Sequence, residues 1–227
     1  IRGEVEIGGG CGIYDTYDEL LAAIDKELSQ GFRRIKLKVM HGWDIDMLRV
    51  VRRTYPNTVF HIDCNASYTF EESDIFKQMD ALYLAMIEQP LASGDIYDHA
   101  KLQKVLDTPL CLDESITEPW HARQAAELGA CKYINIKPAR VGGLQNTIDI
   151  NNICKNADIG CWIGGMLESD IGKAICVEAA SLSNMVYPHD ITPSIESYPD
   201  TFTETLLTYS SPCHFHTSER IGTPVKP

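Results

Sequence analysis

The chain has 227 residues, a formal net charge of −12, an isoelectric point near 4.9 and 44% hydrophobic residues. It is long enough to bury one large core, and its acidity argues against a general binder of nucleic acid or anionic membrane. No apolar run approaches the roughly 20 residues of a membrane span.

Strand and helix signals alternate along the chain. GEVEIGG reads as a first strand, and TYDELLAAIDKELSQG as a helix with Leu20, Leu21, Ile24 and Leu28 on one face. FRRIKLKV is the second strand, followed by the helix GWDIDMLRVVRRTYP. TVFHIDCN is the third, followed by TFEESDIFKQMDA, where Thr69 and Glu72 form a capping box. LYLAMIEQ, PLCLDE, KYINIKP and GCWIGG are strands four to seven. The helices after them are DIYDHAKLQKVLD, TEPWHARQAAELG, GGLQNTIDINNICKNA and SDIGKAICVEAASL. NMVYPHD is an eighth strand. Turn-length gaps and eight strands predict a TIM-like (β/α)7β barrel over residues 1–190. The segment 191–227, rich in Ser, Thr and Pro, is expected to pack on the barrel or on something beyond it. The chain opens at Ile1 without an initiator Met, which leaves room for a preceding leader or domain.

The eight cysteines include no CxxC pair, and Cys64, Cys111 and Cys161 fall within predicted strands. They read as small buried hydrophobes in a reducing cytoplasm rather than zinc ligands or a disulfide framework.

Lys38, Asp63, Glu88, Asp113 and Lys137 are separated by 25, 25, 25 and 24 residues, each near a strand end. That period fits one strand, one helix and two loops, so the five side chains should meet at the C-terminal mouth of a barrel. A single acid at a strand end is ordinarily a loop or capping charge. Three at equal spacing make a cage of hard oxygen donors suited to Mg²⁺, with Mn²⁺ as a substitute. Lys38 and Lys137 come from strands two and six, nearly opposite in the ring, and lysine is rarely buried without a partner. Lys36 has the parity of Lys38 and should lie one layer deeper. A metal between two lysines suits abstraction of a proton α to a carboxylate, the enediolate being stabilised by the ion.

These residues sit in wording that resembles the enolase superfamily, in its muconate-lactonizing-enzyme-like subgroup. The marks are Lys36-Leu37-Lys38, Asp63-Cys64-Asn65, Glu88-Gln89-Pro90, Asp113-Glu114-Ser115 and Lys137. KLKVMHGWD, DCNASYTF, IEQPL, INIKPARVGG and WIGGMLES are similar to o-succinylbenzoate synthases and N-acylamino acid racemases. The resemblance implies that Lys38 and Lys137 are the catalytic pair, supported by Lys36 and Asn65. It implies Asp63, Glu88 and Asp113 as ligands of Mg²⁺, and Gly165, Met166, Glu168 and Ser169 near a small carboxylate substrate. The implied reaction is the synthase dehydration of menaquinone biosynthesis. N-acylamino acid racemization shares the same catalytic set, and a non-catalytic barrel is the reading from another class. The family carries an N-terminal capping domain absent here, so the chain is expected to be the C-terminal catalytic domain, self-associating or associated with its cap. His41, Ala139, Asp170 and Lys173 depart from the family pattern. Asp170 either repels an anionic substrate or favours the positive start of its helix.

Overall fold

A computed structural model of the protein describes residues 3–193 and 207–217. The elements run β1 (Glu4–Glu6), β2 (Gly9–Cys11), α1 (Tyr17–Ser29), β3 (Arg34–Lys38), α2 (Ile45–Thr54), β4 (Val59–Asp63), α3 (Ser73–Asp80) and β5 (Ile87–Glu88). They continue as α4 (Ile96–Gln103), β6 (Leu110–Leu112), α5 (Pro119–Leu128), β7 (Tyr133–Ile136), α6 (Leu144–Asn156), β8 (Gly160–Ile163), α7 (Asp170–Ala180) and β9 (His214–His216). Local chemistry sets the helix ends. Thr16 accepts from Glu19 N while the Glu19 carboxylate accepts from Thr16 N, closing a capping box at α1. The Thr69–Glu72 box forms as expected, on a 3₁₀ turn (Phe70–Glu72) that leads into α3. Pro119 opens α5, and Gly129 ends it at φ 67°, a left-handed conformation that glycine adopts without a Cβ penalty.

Strands β2 to β8 form one seven-stranded sheet in sequence order, every pair parallel. The eighth position is filled by residues 184–190 as isolated parallel bridges rather than a regular strand: Cys161↔Met185, Gly164↔Asp190 and Ile7↔His189. Pro188 lacks an N–H to give the ladder. Backbone bonds still run on both sides, Asp190 N to Ile163 O at 2.9 Å and Gly8 N to His189 O at 2.8 Å, so the ring closes. Arg34, 2% exposed, fastens that seam. Its guanidinium donates to Pro188 O at 2.7 Å, His189 O at 2.8 Å and Gly9 O at 3.2 Å.

Two predicted strands are corrected. GEVEIGG is not one barrel strand: β1 pairs antiparallel with β9, and only β2 joins the barrel. Phe215, fully buried, faces Val5 across that small ribbon. The part of the 191–227 segment covering 194–206 and 218–227 lies outside the described residues. LYLAMIEQ is strand only at its end. Tyr83 is left-handed (φ 53°) and 86% exposed, so the first half of that apolar run is a turn.

Candidate active site

The five ruler residues reach one level because of the barrel's stagger. Lys38 faces Asp63 and Asp63 faces Glu88 directly in register. Glu88 faces Cys111, so Asp113 stands two residues further along; Cys111 faces Tyr133, so Lys137 stands two further again relative to Asp113. Four residues of advance over four strand steps is half of the shear of 8 expected around a full eight-stranded ring. Residues offset in hydrogen-bond register therefore stand at equal height along the tilted strands.

Ammonium groups are threaded between the carboxylates. Lys38 Nζ donates to Asp63 Oδ2 at 2.7 Å and to Asn65 Oδ1. Lys36 Nζ lies 2.9 Å from Asp63 Oδ2, 3.1 Å from Glu88 Oε2 and 3.4 Å from Asp190 Oδ2. Lys137 Nζ donates to Asp113 Oδ2 at 2.8 Å. The Lys36 side chain is 10% exposed against 37% for Lys38, which places it in the deeper layer, as its parity requires. Buried carboxylates need compensation, and here it is cationic. Among the described residues, no three His, Cys, Asp or Glu side chains form a ready-made metal cage. The three expected ligands Asp63, Glu88 and Asp113 are each engaged by a lysine, Asp63 by Lys36 and Lys38, Glu88 by Lys36 and Asp113 by Lys137.

The electrostatics are those of a crowded acidic cluster. Burial raises the Asp63 carboxyl, but Lys36 and Lys38 outweigh it and hold the pKa at about 2. Glu88 is raised, chiefly by burial, with Asp63 adding to the effect and Lys36 opposing it. Asp113 is raised by burial and by Glu88, against Lys137 and Arg140. Burial disfavours the Lys36 ammonium, yet Glu88, Asp190 and Asp63 together raise its pKa well above the usual value. The donor set fits a hard divalent cation. Three strand-end carboxylates repel one another, and Glu88 Oε2 is buried without a well-aligned hydrogen bond.

Several residues that hold this cluster were given no role by the sequence. Gln89, fully buried, accepts at Oε1 from Asp113 N (2.9 Å) and Ser115 N (3.1 Å), stitching the end of β5 to that of β6. Asn135 Nδ2 donates to Glu88 Oε1 at 2.7 Å. Arg140 binds the Asp113 carboxylate and its carbonyl. Asp190, from the irregular eighth position, faces Lys36. His61 lies below Glu88, its Nε2 3.3 Å from Glu88 Oε2, and burial together with Arg34 and Lys36 pushes its pKa well below the usual value. His61, Asn135 and Lys36 share the inward parity of the ruler residues, the one signal by which the first two were detectable. Asn65, expected as catalytic support, joins Lys38 to Glu114, donating to Glu114 Oε1 at 3.1 Å.

Gly165, Met166 and Glu168 line a cavity of about 290 Å³ together with Lys173, Asp190 and Thr192. Ser169 instead caps α7, accepting from Gly172 N at 3.5 Å. Asp170 lies in the first turn of that helix, 4% exposed, its Oδ1 accepting from Ile171 N, which is the helix-start alternative. Lys173 is buried and donates to Thr192 Oγ1 and Pro193 O. His41 contacts Glu72 at 2.7 Å. All eight cysteines are free and buried.

A parallel barrel with alternating carboxylates and lysines at its mouth defines a class. The chain belongs to the enolase C-terminal domain-like family, whose profile matches residues 19–222. It is 44% identical over 191 residues to the o-succinylbenzoate synthase of Geobacillus kaustophilus, covering 84% of this chain and 51% of that protein. It is 39% identical over 207 residues to the N-succinylamino acid racemase of Thermus thermophilus, covering 91% and 56%. A probable mandelate racemase structure from Alicyclobacillus acidocaldarius superposes with a TM-score of 0.91 at 35% identity, covering 96% of this chain and 57% of that one. The chain spans about half the length of the curated relatives it matches. Among the described residues, no helix is long and apolar enough to cross a membrane.

Proposed function

We propose that the chain is the catalytic barrel of a Mg²⁺-dependent enzyme that removes the proton α to a carboxylate, and that its reaction is the o-succinylbenzoate synthase dehydration. The observation that carries this reading is the placement of two lysines at the outer edges of the carboxylate array, Lys38 on Asp63 and Lys137 on Asp113. Their strands are four steps apart in the ring, so the two ammonium groups address a bound substrate from opposite sides. Asp63, Glu88 and Asp113 would hold Mg²⁺, which when bound stabilises the negative charge that develops on the substrate carboxylate. Lys38 or Lys137 takes the α-proton, and the other stays cationic against the developing charge. Lys36 favours the ionised forms of Asp63 and Glu88 from below, and Gln89 and Arg140 fix Asp113. The 39% identity to an N-succinylamino acid racemase supports a second reading, in which the two lysines exchange a proton across the α-carbon. A small carboxylate substrate, a cytoplasmic location and a role in menaquinone biosynthesis go with the first reading.

The test uses the full-length protein with Mg²⁺, assaying o-succinylbenzoate formation and α-proton exchange of N-succinylamino acids in D₂O. Lys38→Ala and Lys137→Ala should each reduce turnover at least a thousandfold with Mn²⁺ binding retained. A loss of only a few-fold in either variant removes that lysine from the catalytic pair. Exchange without dehydration selects the racemase reading.

A further inference from the structure

Beneath the carboxylate array the barrel interior is not simply apolar. His61 points inward from β4, one side-chain step below Asp63, and is completely buried. Its Nδ1 lies 3.1 Å from Tyr187 Oη and its Nε2 lies 3.3 Å from Glu88 Oε2. Neither Nε2 nor Oε2 makes a well-aligned hydrogen bond, to each other or to another group, and Lys36 Nζ also stands 3.1 Å from Oε2. The other oxygen of Glu88 is held by Asn135. Tyr187 belongs to the irregular eighth position, just before Pro188, and its ring packs against His61 and Trp162 with centroids 5.6 and 5.9 Å away. The closing segment of the barrel thus brings a phenol to the floor of the site.

We propose that Tyr187 and His61 form a buried positioning relay that aims Glu88 for its part in the metal site. A carboxylate oxygen only accepts hydrogen bonds, so the imidazole nitrogen facing it must carry the proton. Nδ1 is then bare and accepts from the Tyr187 hydroxyl. The phenol selects the Nε2–H tautomer, which places an N–H on the ring edge that lies 3.3 Å from Glu88 Oε2. Asn135 on Oε1 and, beside Oε2, His61 and Lys36 surround the carboxylate and fix its plane. Outer residues that orient a ligand typically change metal affinity 10- to 100-fold when altered. His61 and Tyr187 touch neither substrate nor metal in this arrangement and act only through Glu88.

The inference rests on the magnesium reading above, and its experiment separates the two. Mn²⁺ binding to the full-length protein is followed by electron paramagnetic resonance, with no substrate present. Tyr187→Phe removes one hydroxyl and keeps the ring contacts. His61→Gln keeps an amide N–H near the Nε2 position, whereas His61→Asn places it near Nδ1. Tyr187→Phe and His61→Asn should weaken Mn²⁺ binding tenfold or more, and His61→Gln should stay within threefold of the wild type. A generic packing role would not distinguish Gln from Asn. Equal Mn²⁺ affinity in all three variants overturns the relay while leaving the metal site intact. If the wild type binds no Mn²⁺, or binds it equally well after Asp63→Asn, the magnesium reading fails, and the relay to a metal ligand fails with it. ¹⁵N chemical shifts of the His61 ring give a metal-independent check. The Nε2–H tautomer is expected in the wild type, and an Nδ1–H tautomer would overturn the relay.

Discussion

Replacing Arg34 with Met should open the barrel at its seam. The guanidinium is 2% exposed and donates to three backbone carbonyls, of Gly9, Pro188 and His189. It also lies 5.5 Å from the Trp162 ring centroid and 5.4 Å from that of Tyr187. Charged hydrogen bonds contribute about 1.5–3 kcal/mol each, but the three are not additive. His189 O already accepts from Gly8 N, and Arg34 Nε is itself buried without a partner. Met restores much of the apolar volume and relieves the buried charge. The net loss should therefore be about 3–5 kcal/mol, roughly the worth of two such hydrogen bonds. For a chain of this size that is a fall in melting temperature of roughly 10 °C. Urea and thermal unfolding measure the loss. Amide hydrogen exchange should localise it, with Gly8, His189 and Asp190 accelerating more than the β3–β4 ladder. Gly8→Ala attacks the same clasp from the other side, because a Cβ there would stand 2.0 Å from Arg34 Cζ. The double variant should lose less than the sum of the two. A loss under about 1 kcal/mol for Arg34→Met, or strict additivity, would refute the seam argument.

Gly164→Ala should cut Mn²⁺ affinity, since its Cβ would fall 2.2 Å from Asn135 Oδ1 and displace the amide that holds Glu88; unchanged affinity would contradict this. His99 is buried, with Nε2 accepting from Leu91 N and Nδ1 on Asp95 O, and burial lowers its pKa. The unfolded chain then binds the extra proton first, so this contribution is complete above the unfolded pKa of about 6.5 and is lost as pH falls below it. Urea midpoints at pH 7.5 and 5.5 should differ less in His99→Gln than in the wild type, and equal differences would remove His99 as a cause. Burial raises the thiol pKa of Cys64 and Cys111 well above the usual value. Thiol titration should find almost no reactive cysteine in the folded protein and all eight in denaturant; fast reaction of several folded-state thiols would count against the burial.

The 25-residue ruler was legible because a strand, a helix and two short loops have a near-fixed length, and because the chemistry at the strand ends is conspicuous. Helix starts were equally local: Thr16, Thr69 and Pro119 carry their cap chemistry within one turn. The eighth position was legible only as a short apolar run, since a strand built of isolated bridges takes its definition from its neighbours. The splitting of GEVEIGG was hidden for the same reason: its partner in β1 lies some 200 residues away, at Phe215. In LYLAMIEQ, local propensity favoured strand where a left-handed Tyr83 turns the chain. Sequence alone thus determined which groups stand at the barrel mouth, because the side-chain period of two and the repeat length fix parity and end. Only the tertiary structure decided who neutralises whom. That Lys36 bridges Asp63, Glu88 and Asp190, that Gln89 ties Asp113, and that Tyr187 reaches His61 depends on the stagger between strands. Stagger is set by how the whole ring closes, and no segment encodes it by itself.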